Sequence, residues 1–158
     1  MKDIADLSLI IDSNVPIIIL ETHDEKRALE LLTRLAMKKQ LGFSCWSITE
    51  GLNRIGFGST SLPANSQAED ENSPANTLKQ IKNNSQPSIY ALCDFHPYLP
   101  GNPEHVRLLK DIALDYERLQ HTLVLISYEF SIPPELQHFC ARFVMELPND
   151  TQILAIVR

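Results

Sequence analysis

The run PIIILE at residues 16–21 constrains the fold more than any other stretch of the chain. Ile17, Ile18, Ile19 and Leu20 are consecutive branched aliphatics with no polar face between them, so a strand built from them has to be covered on both sides. The chain then passes, without a glycine, into THDEKRALELLTRLAMKK. There Ala28, Leu32, Leu35 and Ala36 recur at the 3.6-residue period, Leu29 and Leu31 widen the stripe, and Lys38 and Lys39 suit the negative end of a helix dipole. A doubly covered strand feeding an amphipathic helix is a unit of an α/β sheet.

The alternation continues along the chain. Ile4, Leu7, Ile10 and Ile11 make a short amphipathic helix before the first strand, and Asn14 and Pro16 stop it. FSCWS, SIYALCDF, TLVLISY and RFVMEL supply four more strands. Between them fall a short helix at residues 77–83, a longer one in PEHVRLLKDIALDYERL, and a third starting at PPELQHF with proline in its first turn. In the longer helix Val106, Leu109, Ile112, Ala113 and Tyr116 form one stripe. Residues 53–76 lose all periodicity into Gly, Ser, Pro, Asn and acidic residues, and are expected to be a mobile insertion. The pattern predicts one α/β domain over residues 1–158, a three-layer sandwich with a five-stranded, mostly parallel sheet.

In such a sheet a ligand is expected outside the carboxyl ends of the strands, where strand order reverses. That rule gathers residues 21–24, 47–51, 94–96, 127–129 and 147–149, with Thr22, His23, Asp24, Asp94, His96 and Ser127 as the candidate pocket. A phosphate loop needs glycines and a lysine. The turn after the first strand has no glycine, and it places Asp24 and Glu25 where a phosphate would sit. The Thr22 to Glu25 spacing instead fits a capping box with Thr22 as the cap. Gly51 and Gly56 have phosphate-loop spacing, but Phe57 and Gly58 stand where lysine and Ser or Thr are required.

Asp94 ends an apolar strand, as the magnesium-holding acid of nucleotide hydrolases does, and it is the candidate should a metal be held. The residue after it is Phe95 rather than a glutamate, so the base that would orient water is missing. His23 and His96 lack the close spacing of metal ligands. Cys45, Cys93 and Cys140 lie in apolar stretches expected to raise their pKa and quiet them, and no Gly-x-Ser-x-Gly turn offers a nucleophile. No catalytic residue and no cofactor are expected for this domain. A receiver-like phosphoacceptor domain is the alternative, with Asp94 as acceptor, acids after the first strand, and Ser127 ending the fourth. It would require a lysine at the end of the fifth strand, where MELPN has none, and its third strand beside its first.

Asp and Glu outnumber Lys and Arg by 20 to 14, a net charge of −6 that provides no surface for nucleic acid or an anionic membrane. The odd cysteine number argues against a disulfide frame. With no leader-like N-terminus and only short apolar runs, the expected setting is soluble and cytoplasmic. The closing ELPNDTQILAIVR has a turn, a cap and an apolar run that stops at Arg158, which reads as a longer chain cut short.

PIIILETHDEKRALELL, SCWSITEGL, SIYALCDFHPYL and VLISYEFSIPPEL together resemble the N-terminal region of the uncharacterised AAA-type ATPase family of algal plastids, cyanobacteria and other bacteria. The likeness spans nearly the whole chain. Its specific motifs are matched by residues 22–25, 94–97 and 132–136, and it assigns no catalytic role to them. The insertion at 53–76 is longer than the family pattern. The resemblance implies an AAA/P-loop-NTPase-like fold that lacks the phosphate loop, with the first strand between the fifth and fourth and the third beyond the fourth. It also implies an AAA module downstream that binds ATP and magnesium. Expected partners are that module and neighbouring subunits or a protein substrate.

Overall fold

The computed structural model describes residues 2–55, 73–84, 86–127 and 132–145. Helix α1 (Lys2–Asp12) precedes strand β1 (Ile17–Glu21), helix α2 (Glu25–Lys39), and the hairpin β2 (Gly42–Ser47) and β3 (Gly51–Ile55). Helix α3 (Pro74–Asn83) and strand β4 (Ser88–Cys93) follow, then a 3-10 turn (His96–Tyr98), α4 (Pro103–Leu114) and α5 (Tyr116–Leu119). Strand β5 (Thr122–Ser127), a 3-10 helix (Pro134–Phe139) and β6 (Cys140–Val144) complete the order.

The sheet order is β3-β2-β4-β5-β1-β6, parallel except for the β2–β3 pair. The sheet therefore has six strands among the described residues, against five expected. The additional strand is β3, whose last three residues, 53–55, open the stretch read as a mobile insertion. GLNRI has no apolar alternation of its own, and its strand identity comes from pairing with β2, from Ser47 opposite Gly51 to Phe43 opposite Ile55. Gly51, at φ 75, supplies the left-handed conformation on leaving the tight turn at residues 48–50. Residues 73–76 also leave the expected insertion, because Ser73 caps α3 by accepting a hydrogen bond from the Asn76 N–H at 3.2 Å. Residues 56–72 lie outside the described residues.

Leaving β3 aside, the strands read in the order expected from the resemblance, with β1 between β5 and β6 and β4 beyond β5. The receiver-like alternative needed β4 beside β1, and β5 lies between them.

β1 alternates between two cores, and this makes three layers. Ile18 and Leu20 join Ile89, Ala91, Val124 and Ile126 beneath α1 and α2, while Ile17 and Ile19 join Tyr90, Leu92, Leu123 and Leu125 beneath α3 and α4. Other boundaries moved for local reasons. β4 stops at Cys93 because Asp94 turns left-handed, at φ 53. The long helix breaks at Asp115 into α4 and α5, although the stripe from Val106 to Tyr116 gave no sign of it. The turn after Pro134 is a 3-10 helix, and β6 starts at Cys140, two residues earlier than expected.

His121 precedes β5 and is fully buried, its ring edge-on to Tyr90 at 5.2 Å. Its Nε2 lies 2.8 Å from the Asn84 carbonyl and donates to it, leaving Nδ1 without a partner among the described residues. Burial of the ring outweighs the Asn84 and Ile81 carbonyls, which favour the charged form, and with Arg118 adding to it lowers the pKa below the ordinary 6.5. The unfolded chain takes up the proton first, so the stability is complete above 6.5 and falls as pH drops towards the folded value. The melting temperature is expected to fall between about pH 7 and about pH 5, and His121→Gln should flatten that slope in a thermal melt series.

Candidate functional site

The chain leaves β1 through α2 on one face and leaves β5 through the 3-10 helix on the other, towards opposite sides of the sheet. The β1/β5 boundary is therefore the switch point where a crevice is expected. The backbone there is continuous across three strand ends. The Thr22 N–H donates to the Ser127 carbonyl at 2.9 Å, and the Asp94 N–H donates to the Ile126 carbonyl at 2.9 Å.

The structure thus brings Thr22, Asp94 and Ser127 into one row, with His23 and Asp24 following Thr22. His96 opens the 3-10 turn two residues beyond Asp94 and is half-buried. His23, Asp24 and Asp94 are exposed, whereas Ser127 is buried. Of the other segments, residues 48–50 form the hairpin turn, where the Glu50 N–H donates to the Ser47 hydroxyl at 3.2 Å. Gly51 is thereby committed to a strand and not to a phosphate cradle. Residues 128, 129 and 147–149 lie outside the described residues. Among the described residues no three His, Cys, Asp or Glu side chains gather closely enough to hold a metal ion.

The α2 start differs from the expected capping box by two positions. Asp24 is the cap, its carboxylate accepting from the Arg27 N–H at 3.1 Å, while the Thr22 hydroxyl accepts from the Asp24 N–H at 3.0 Å. β1 pairing holds Thr22 to the strand through its own N–H, so the chain reaches helical geometry only at Glu25. The consequence for an anion is the same. Two N–H groups of this turn are bonded to side chains, and a carboxylate stands at the positive end of the dipole.

Phe95 is fully buried, and this could not be read from its position after Asp94. It packs against Trp46 at 5.4 Å, Tyr98 at 6.1 Å and His105 at 6.1 Å between ring centroids, with Trp46 also 6.0 Å from Tyr98. The position beside the acid that a hydrolase gives to a glutamate is here part of the core. A separate groove of about 570 Å³ lies beyond β4 and β5, lined by residues including Leu99, Pro103, Val106, Lys110, Ile132 and Pro133. It shares no residue with the candidate row.

Sequence reasoning missed one cluster. Cys45 on β2 and Cys93 at the end of β4 have their sulfurs 3.7 Å apart. Their strands are neighbours only in the folded sheet, so the visible signal was limited to a cysteine near the end of each of two strands.

A mostly parallel sheet in this order, with a glycine-free capped turn after its first strand, defines an ATPase-like domain without a phosphate loop. Residues 3–145 match the family described as SpoVK-like AAA ATPase, N-terminal domain, and the chain belongs to it. It is 27% identical over 157 residues to the "Uncharacterized AAA domain-containing protein ycf46" of Trieres chinensis. That match covers 97% of this chain and 30% of the relative, so the chain spans under a third of the length of the curated relative it matches. Among the described residues no helix is long and apolar enough to cross a membrane.

Proposed function

We propose that this domain is a non-catalytic regulatory or interaction part of an AAA ATPase. In this reading, ATP and magnesium binding and hydrolysis reside in a downstream module, and the domain contacts that module and neighbouring subunits or a protein substrate in the cytoplasm. The observation that carries the reading is the β1–α2 turn, where Asp24 and Thr22 take the backbone donors that a phosphate would use. Phe95, buried beside Asp94, supports it by leaving no water-orienting group in that place.

Calorimetric titration of the 158-residue chain with ATP and magnesium is expected to show no binding. The Asp24→Ala variant is expected to lose about 1 kcal/mol of stability, measured by urea unfolding, and still to bind no ATP. Micromolar, magnesium-dependent ATP binding by the unaltered chain would overturn the non-catalytic reading.

A further inference from the structure

Cys45 and Cys93 are both free and lie on the same side of the sheet, beneath α2. The parallel register sets Cys45 opposite Ala91, so Cys93 is two residues further along β4, yet the side chains turn towards each other until the sulfurs are 3.7 Å apart. Cys45 is half-buried and Cys93 buried. Cys140 offers an internal contrast, because it packs against the opposite core with no cysteine neighbour.

We propose that Cys45 and Cys93 are a peroxide-sensitive thiol pair, oxidised to an intramolecular disulfide that joins β2 to β4 at the carboxyl end of the sheet. The Cys45 thiolate attacks hydrogen peroxide, forming its S–O bond as the O–O bond breaks and hydroxide leaves, which gives a sulfenic acid. The Cys93 sulfur then attacks the Cys45 sulfur, the S–O bond breaks, and the Cys93 proton leaves with the hydroxyl as water. Two electrons pass from the two sulfurs to the peroxide.

The roles follow from the surroundings. Either sulfur can donate in the hydrogen bond between them, but Cys45 is the more exposed of the two and is the one peroxide reaches; a proton held on Cys93 favours the Cys45 thiolate and lowers its pKa below 9.0, against the opposing effects of burial, Glu25 and Glu50. The same bond, with burial and Glu25, raises the pKa of Cys93 and keeps its proton in place. Burial raises Cys140 to about 12. A disulfide is about 2.0 Å long, so the sulfurs have to close from 3.7 Å, and the two-residue offset requires the β4 end to shift. That shift falls at the strand's last residue, before the left-handed Asp94 and the candidate row. Oxidation therefore acts on the strand end that carries Asp94.

The test is to expose the 158-residue chain to hydrogen peroxide, block remaining thiols, and map products by mass spectrometry. Cys45, whose thiolate is favoured while burial suppresses that of Cys140, is expected to react measurably faster than Cys140 and to end in a Cys45–Cys93 disulfide. Cys93→Ala should lose the disulfide and carry Cys45 to sulfinic acid. Should that variant not fold, Cys45→Ser serves instead, with Cys93 expected to stay reduced. The proposal is overturned if Cys45 reacts no faster than Cys140, if the unaltered chain oxidises without forming the disulfide, or if Cys93 oxidises readily in Cys45→Ser.

Discussion

Phe95→Ala is expected to cost about 3–5 kcal/mol in urea unfolding, among the largest effects open to a single substitution here. Phe95 is fully buried and packs edge-on against Trp46, itself fully buried, and against Tyr98 and His105. Truncation removes the burial of a large ring, leaves a cavity between β2 and α4, and breaks the edge-to-face contacts. Phe95→Glu, which restores the residue order of a hydrolase, is expected to be at least as destabilising, because the carboxylate would enter an apolar aromatic cluster. It should gain no ATP hydrolysis in a phosphate-release assay. A stable, hydrolysing Phe95→Glu protein would contradict both the packing argument and the non-catalytic reading.

The second large effect concerns the central strand. Ile18→Ala and Ile19→Ala are each expected to lose about 2–5 kcal/mol, since both side chains are fully buried. Ile18 lies in the core beneath α1 and α2, and Ile19 in the core beneath α3 and α4. The two side chains pack in separate cores, so the double variant should lose roughly the sum of the two, shifted by about 0.5–3 kcal/mol through the backbone they share as chain neighbours. Against the 5–15 kcal/mol that stabilises a typical domain, that sum is expected to leave the double variant partly or wholly unfolded at 25 °C by circular dichroism. If either single change cost under about 1 kcal/mol, that face of the strand would not be packed as described.

The contrast between these residues shows what was legible. The two-sided burial of Ile17 to Leu20 could be read directly, because four branched aliphatics in succession have only one stable environment. The glycine-free turn was also legible as a turn unsuited to phosphate. Which residue caps it was not, since Thr22 and Asp24 are both good caps, and the β1–β5 hydrogen bond that keeps Thr22 in the strand is non-local. β3 was missed for the same reason, as its partner Phe43 to Ser47, and not its own composition, makes it a strand.

Of the candidate pocket, Thr22, Asp94 and Ser127 do converge, since the strand-end rule needs only strand positions. Their exposure, the burial of Phe95 and the Cys45–Cys93 pair could not be foreseen from those positions alone. The sequence by itself determined the layers, because the alternation of buried strand and one-sided helix is a property of short windows. Only the tertiary structure decided which strand ends are neighbours, because crossovers place β2 beside β4 and β5 beside β1, and residues as far apart as 45 and 93 meet through that order alone.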